Sequence, residues 1–142
     1  MKIIIGNDHA GVEIKEAIIS FLKEREIDCK NAGSDSNESV DYPDFAHAVA
    51  SKVHRKEFEL GILICGSGNG ANMTANKHEN IRSALCWNKE TCLLSRQHND
   101  ANILSLPARF ISLEEAKEMV DLFLSTPFEG GRHQRRIDKI NK

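Results

Sequence analysis

The 142-residue chain lacks any apolar run close to the ~20 residues that a membrane-spanning helix needs. We therefore expect no membrane span and no membrane partner. Met1-Lys2 leads directly into a strand-like segment, so we also expect no signal peptide. An excess of positive charge is missing as well: 19 Lys and Arg stand against 21 Asp and Glu, for a net charge of −2. Bulk charge therefore gives no attraction for nucleic acid.

Aromatic residues are scarce, at 6% of the chain, so we expect an aliphatic core. The four cysteines include no CxxC pair and no spacing typical of a zinc site; they are Cys29, Cys65, Cys86 and Cys92. Reduced thiols and a cytoplasmic location are therefore expected. The chain also has no internal repeat, low-complexity stretch or linker, so residues 1–142 are expected to form a single domain.

What the chain does contain is a regular alternation of short apolar segments with amphipathic ones. Strands are predicted at 2–6, 27–30, 60–64, 81–86 and 101–106, and helices at 12–26, 45–55, 71–77, 88–97, 112–124 and 133–141. Asp44 is expected to cap the second helix, and Ser112 with Glu115 to form a capping box. Strands alternating with helices predict an α/β fold, with a parallel sheet covered by helices on both faces.

The segment Glu59–Lys77 carries the strongest functional signal. A buried strand leads to Cys65, and three glycines follow within five residues, at 66, 68 and 70. A glycine loop that enters a helix exposes backbone N–H groups that can bind an anion. The same groups stabilise a thiolate, so we expect Cys65 to be exposed and its pKa to be lowered. The loop is neither a dinucleotide fingerprint nor a P-loop, which favours a small anion over a nucleotide.

Polar side chains elsewhere are further candidates. Asp8 and His9 follow the first strand, at the edge where α/β sheets bind ligands. His98 is a candidate acid, because histidine titrates near neutral pH. Arg132 and Arg136 are four residues apart, which places them on one helix face where they could grip a phosphate or form a solvated basic terminus.

Arg109, which follows the last strand, is another candidate for contact with an anion. Taken together, these residues leave two reactions open. One is covalent thiol catalysis, with the loop N–H groups as an oxyanion hole. The other is proton abstraction next to a carbonyl, with the same groups holding an enediolate. A regulatory module that binds its ligand without catalysis is a third interpretation, against which the presence of both Cys65 and His98 argues.

Motifs spread along the chain narrow these choices. They are GNDHAG at 6–11, DYP at 41–43, ICGSGNG at 64–70, ANK at 75–77, SRQHNDAN at 95–102 and EGGRH at 129–133. In this order they resemble the type B ribose-5-phosphate isomerases, a family that also holds the galactose-6-phosphate isomerase subunits. The resemblance runs nearly end to end. Ser67 stands where many members carry threonine, and Ala71 stands where another branch uses a glutamate base, so the chain resembles the cysteine branch.

The resemblance implies a Rossmann-like three-layer sandwich with a five-stranded parallel sheet. It also implies a homodimer, or a dimer of such dimers, whose active sites are shared between subunits. The implied reaction interconverts ribose 5-phosphate and ribulose 5-phosphate with neither a metal nor a cofactor. A six-carbon substrate, such as allose 6-phosphate or galactose 6-phosphate, is the alternative.

The resemblance also implies the role of each site residue. Cys65 would be the base, His98 of the partner subunit would assist ring opening, and the Ser67 hydroxyl would help it. The loop amides would hold the enediolate, and arginines on a terminal helix at about 131–141 would bind phosphate. The implied substrate-binding residues are Asp8, His9, Tyr42, Gly66, Ser67, Gly68, Asn69, Gly70, Asn99, Arg109, Arg132 and Arg136.

Overall fold

The computed structural model describes residues 1–141, so Lys142, part of the predicted domain, lies outside the described residues. One sheet contains five strands: β1 (Lys2–Asn7), β2 (Asp28–Asn31), β3 (Leu60–Cys65), β4 (Ser83–Leu85) and β5 (Ile103–Pro107). Their order is β2-β1-β3-β5-β4, and every neighbouring pair is parallel. The predicted α/β fold with a five-stranded parallel sheet is therefore confirmed.

Helices cover both faces of this sheet. They are α1 (Val12–Glu24), α2 (Tyr42–His54), α3 (Asn69–Ala75), α4 (Lys89–Gln97), α5 (Leu113–Ser125) and α6 (Arg132–Ile137). A single turn of 3-10 helix, His9–Gly11, precedes α1. Within residues 1–141, none of the helices combines the length and the apolar character that crossing a bilayer requires.

The core lies in two layers because successive strand residues point to opposite faces of the sheet. On one face, side chains such as Ile3, Ile62 and Leu104 pack with residues of α1, α4 and α5. On the other face, Ile4 and Leu63 pack with small and branched residues of α2 and α3. The central strands are buried on both faces and read as nearly continuous aliphatic runs, as expected for a parallel sheet.

Several predicted boundaries are corrected by the structure. The expected Asp44 cap is wrong: α2 begins at Tyr42, after Asp41, and Asp44 lies in its first turn. Pro43 allows this earlier start, because proline is tolerated in the first turn of a helix. The capping box of Ser112 and Glu115 at the start of α5 is confirmed.

Three further elements differ in length from the prediction. Helix α3 begins at Asn69, inside the glycine loop, rather than at Ala71. Strand β4 has three residues, 83–85, and the terminal helix α6 ends at Ile137. All three elements contain or adjoin polar residues, and the pattern of these residues does not show where the element ends. Sequence periodicity therefore predicts their ends less accurately than those of α1 or β3.

The strand order reverses between β1 and β3. The chain proceeds from β1 to β2 on one side, and β3 then pairs with β1 on the other side. In open α/β sheets, ligands bind beyond the carboxyl ends of the strands at such a switch point. In this chain the residues at that place are Asp8, after β1, and Cys65, at the end of β3.

Candidate active site

Cys65 lies almost completely inside the protein, with 4% of its surface exposed. Its side chain packs in the core layer between the sheet and helices α2 and α3. Burial raises the pKa of the Cys65 thiol, while the backbone N–H groups of Ala71 and Gly68 lower it. The predicted exposed thiol with a lowered pKa is therefore wrong for the single chain. Its loss of hydration outweighs the stabilisation that the loop N–H groups give to a thiolate.

Asp8 lies beside this thiol at the switch point. Its backbone N–H donates to the Ile64 carbonyl at 3.2 Å, which continues the pairing of β1 and β3 beyond the strand ends. The Asp8 side chain is buried and accepts a hydrogen bond from the Ala10 N–H at 3.0 Å. Its negative charge contributes to the raised pKa of Cys65. A carboxylate and a thiol thus share the bottom of the candidate site.

His9 and Tyr42 form the wall next to α2. The Nδ1 atom of His9 accepts a hydrogen bond from the Val40 N–H at 3.2 Å, so the neutral ring carries its proton on Nε2. The Tyr42 ring lies directly on Gly70, where an added Cβ would be 2.3 Å from two ring carbons. Close packing of this ring therefore explains why residue 70 is glycine.

Arg109 forms the opposite wall, in the segment after β5. The Ala108 N–H donates to the Cys65 carbonyl at 2.9 Å, and the Arg109 N–H donates to the Gly66 carbonyl at 3.0 Å. An added Cβ on Gly66 would lie 3.0 Å from the Arg109 guanidinium, which therefore rests on the loop. The same guanidinium lowers the pKa of Cys65.

The tip of the glycine loop is open to solvent. Ser67 and Asn69 are exposed there, and the Asn69 N–H donates to the Ser67 hydroxyl at 3.3 Å. Gly68 has φ of +80°, a left-handed conformation that glycine adopts without strain. We call this region the carboxyl half of the site; it comprises Asp8, His9, Tyr42, Cys65, Gly66, Ser67, Gly68, Asn69, Gly70 and Arg109.

A second group of candidate residues surrounds the end of α4. His98 is the residue that ends this helix, and its ring stacks on the ring of His133 with centroids 4.2 Å apart. The Glu129 carboxylate lies 3.8 Å from His98 Nε2 and 3.7 Å from His133 Nε2. The Glu129 N–H also donates to the Gln97 carbonyl at 3.1 Å, which fixes this segment to α4.

The remaining predicted contacts adjoin these two rings. Asn99 follows His98 and is exposed, and Arg132 and Arg136 are exposed on α6. Burial is the largest cause of the lowered pKa of His133. The charges of His98, Arg132 and Arg136 lower it further. We call this region the amino half of the site; it comprises His98, Asn99, Glu129, Arg132, His133 and Arg136.

The two halves lie at opposite ends of the strands, one at their amino ends and one at their carboxyl ends. Asn102, just before β5, accepts a hydrogen bond from the Gly61 N–H at the start of β3, whereas Cys65 pairs with Pro107 at the other end. The four residue-to-residue steps from Gly61 to Cys65 span about 13 Å at ~3.3 Å per step. His98 precedes Asn102, so one chain does not bring the proposed acid to the proposed base.

Two buried polar residues missed by the sequence prediction support the carboxyl half. Asn7 donates through Nδ2 to the Asp8 carbonyl at 2.8 Å and to the Ser34 carbonyl at 2.9 Å. Lys15 is 1% exposed; it donates to the same Ser34 carbonyl at 2.6 Å and binds the Asp35 carboxylate. A lysine on the apolar face of the predicted helix at 12–26 was the available signal for this contact.

Sequence reasoning also gave no role to Glu129 and His133, although both belong to the EGGRH motif. The signal that was available is their place in the same motif as Arg132. The ligand atoms of His98, Glu129 and His133 all lie within 4.8 Å of one another, so this group could hold a metal ion.

A thiol, a carboxylate and loop amides at the switch point of a parallel sheet define an α/β enzyme that acts on a small polar substrate. Residues 3–140 match the family described as Ribose/Galactose Isomerase, and the chain belongs to this family. The resemblance found from the motifs is thereby confirmed.

Similar proteins agree with this membership over nearly the whole chain. The protein named ribose-5-phosphate isomerase B of Escherichia coli (strain K12) is 44% identical over 139 residues, covering 98% of this chain and 93% of that protein. A ribose-5-phosphate isomerase B structure from Clostridium thermocellum has a TM-score of 0.97 at 48% identity, covering 99% of this chain and 95% of that one. The isomerase B structure from Mycoplasma genitalium with bound ribulose-5-phosphate has a TM-score of 0.95 at 45% identity, with 98% and 93% coverage.

Proposed function

We propose that the protein is an aldose–ketose isomerase that interconverts D-ribose 5-phosphate and D-ribulose 5-phosphate through an enediolate. The observation that carries this proposal is the position of Cys65, buried at the end of β3 against the glycine loop. Relatives 44–46% identical that are named ribose-5-phosphate isomerase B, some as probable, support the substrate. The homologous structure that holds ribulose-5-phosphate also supports it.

In this proposal Cys65 moves the proton between C1 and C2 of the open-chain sugar. A thiolate with a raised pKa is a stronger base than an ordinary one, which suits abstraction of a weakly acidic C–H proton. The N–H groups of Gly68 and Ala71 and the Arg109 guanidinium favour formation of this thiolate. Burial excludes water, so the thiolate competes with little solvent for the substrate proton.

The glycine loop has a matching role at the sugar oxygens. Negative charge grows on O1 and O2 as the enediolate forms, and backbone N–H groups fixed in advance stabilise such charge. Gly68, with its positive φ, turns the chain so that the loop closes tightly next to Cys65. The Ser67 hydroxyl, exposed at the loop tip, would assist opening of the furanose ring.

We also propose that two copies of the chain complete each active site as a homodimer. The proposed acid and base lie at opposite ends of the strands of one sheet. A second copy of the chain, related by a twofold axis, is therefore the simplest source of the missing half. His98, Asn99, Arg132 and Arg136 of one copy would then face Cys65 of the other. The arginines would bind the phosphate together with Arg109 and would add positive charge near the thiolate.

An exposed apolar strip beside both halves supports this dimer. Trp87 and Phe110, 55% and 73% exposed, line a depression of about 460 Å³ together with Ser67 of the carboxyl half. Trp87 also lines a groove of about 610 Å³ with Ile140 and with Asn99 of the amino half. Large apolar side chains that adjoin both halves mark a surface suited to a self-complementary interface.

The reaction is tested by comparing kcat/KM over a panel of aldose phosphates: ribose, allose and galactose derivatives. The proposal expects the highest kcat/KM for ribose 5-phosphate. A higher value for a six-carbon sugar would move the assignment to that substrate. Tight binding of ribose 5-phosphate with no isomerisation would overturn catalysis altogether.

The shared site is tested by mixing two inactive chains, Cys65→Ala and His98→Asn. In a mixed dimer, one of the two sites receives Cys65 and His98 in native form, so activity returns on mixing. If each chain built its own complete site, the mixture would stay inactive.

The four thiols of residues 1–141 are free, in agreement with the predicted cytoplasmic location, which stays a prediction.

A further inference from the structure

His98, the proposed acid, forms a group of metal-ligand atoms with Glu129 and His133, two residues to which the proposed isomerase reaction gives no role. The carboxylate of Glu129 lies 3.8 Å and 3.7 Å from the Nε2 atoms of His98 and His133, and all three ligand atoms fall within 4.8 Å of one another. These separations exceed the 3.5 Å reach of a hydrogen bond, so the three groups face each other without being bonded to each other.

His133 gives the strongest indication that this cluster has a ligand. The residue is 6% exposed, and its buried Nε2 atom has no hydrogen-bond partner within residues 1–141. An unpaired buried polar atom destabilises the fold, so native proteins rarely leave one without a partner.

We propose that His98, Glu129 and His133 form a Zn²⁺ site, and that the bound ion inhibits the isomerase by occupying the proposed acid. Two imidazoles and one carboxylate with a fourth position open is a ligand set that suits Zn²⁺. Bonds of ~2.0–2.1 Å place tetrahedral ligands about 3.3 Å apart, so Glu129 is within ~0.5 Å of the required distance from each ring. The inhibitory role depends on the proposed function; the binding does not.

The stacked rings must rotate for both Nε2 atoms to reach one ion. His133 is buried and lies between Glu129 and the ring of His98. The side chains of His98 and Glu129 are 39% and 50% exposed. Movement of the two exposed side chains onto His133 is therefore the expected path of closure. The fourth position is left for a water molecule, as in zinc sites with three protein ligands.

Calorimetric titration of the metal-free dimer with ZnCl₂, without sugar phosphate, tests the site directly. Wild type should bind one Zn²⁺ per chain. His133→Gln and Glu129→Gln should weaken binding by at least the roughly 10–100-fold that loss of even a supporting contact costs. Circular dichroism verifies that each variant is folded, and His98→Asn, altered at an exposed side chain, gives an independent second test. Unchanged affinity in the folded variants would overturn the site.

A second histidine pair supplies the matched control. His47 Nδ1 and His78 Nε2 lie 2.7 Å apart on the other face of the protein, and His78→Gln removes that pair. This variant should keep the full wild-type affinity for Zn²⁺. Loss of the titrated site in His78→Gln would place the ion at that pair and refute the proposal.

Inhibition is measured separately, with ribose 5-phosphate and buffered Zn²⁺, and reversal by EDTA shows that the effect is due to the metal. The expected result is a rise in apparent KM with Zn²⁺ in wild type and a smaller rise in Glu129→Gln. Binding without inhibition would leave the site standing and refute its regulatory role. Absence of isomerase activity with Zn²⁺ binding intact would refute the proposed function alone.

Discussion

The carboxyl half and the amino half of the site are built in opposite ways. The carboxyl half is held by main-chain contacts at strand ends, such as the Ala108 N–H on the Cys65 carbonyl, and its thiol is buried. The amino half consists of side chains on helix ends, and its arginines, Arg132 and Arg136, are exposed. The thiol of one half is shielded from solvent, whereas the arginines of the other half face it.

In the proposed reaction, neither half of the site would be sufficient without the other. The buried thiol beside Asp8 has a raised pKa, and the proposed acid, His98, lies at the other end of the strands. The amino half offers the proposed acid His98 and two arginines but lacks the thiol proposed as the base. Facing the two halves across an interface would supply the acid, and the arginines would offset the charge that raises the pKa of Cys65.

Cys65→Ala removes the proposed base from the carboxyl half. We expect kcat to fall by about 10²–10⁴-fold, the usual contribution of a positioned acid or base, while ribose 5-phosphate still binds. Steady-state kinetics and calorimetry check the two parts separately. Cys29→Ala, on strand β2 and away from the site, is the matched control and should retain activity. Full turnover in Cys65→Ala would show that Cys65 is not the base.

Arg132→Gln tests the amino half through the phosphate. A charge-assisted hydrogen bond contributes about 1.5–3 kcal/mol, so its loss should raise KM by roughly 10–100-fold and change kcat less. Arg135→Gln is the matched control, because Arg135 lies on the same short helix, off the face that carries Arg132 and Arg136. Equal effects of the two substitutions on KM would show that only the general positive charge of α6 matters.

The fold was largely predictable because its determinants are local. Alternating apolar and amphipathic segments gave the parallel sheet, and the Ser112–Glu115 capping box placed the start of α5 correctly. The position of Asp44 was misassigned, because Pro43 let α2 start earlier than the apolar pattern indicated. Local rules therefore predicted which elements form better than where each one begins.

The candidate site was only partly predictable, because its properties depend on tertiary packing. The burial of Cys65 comes from α2 and α3 closing over β3, which no local pattern reveals, so its pKa was predicted in the wrong direction. The separation of His98 from Cys65 depends on strand direction over the whole sheet. The stack of His98 on His133 joins residues 35 positions apart and has no sequence signature.

Gly70→Ala probes the close packing that shapes the carboxyl half. The new Cβ would meet the Tyr42 ring at 2.3 Å, so the ring or the loop must shift. We expect a loss of about 1–3 kcal/mol in the free energy of unfolding, the usual cost of overpacking, measured by urea denaturation. In Tyr42→Ala the space is already open, so Gly70→Ala should cost much less there. Equal costs in both backgrounds would mean that the ring does not constrain residue 70.

Asp35→Asn should give the smallest effect, because Asp35 is largely exposed although its partner Lys15 is buried. The hydrogen bond from Lys15 lowers the pKa of Asp35 below its ordinary value of 3.8. A lowered folded pKa means that the carboxylate stabilises the fold above pH 3.8 and that this stabilisation is lost as the pH falls through the lowered pKa.

The measurement for this last comparison is urea unfolding of wild type and Asp35→Asn from pH 7 down into the acid range. Wild type should be slightly more stable at pH 7, and the difference should disappear in acid, because a protonated Asp35 resembles asparagine. Lys15→Met serves as the stronger counterpart, since it also removes the Nζ contact to the buried Ser34 carbonyl. A difference between wild type and Asp35→Asn that persisted in acid would show that Asp35 acts through packing rather than through its charge.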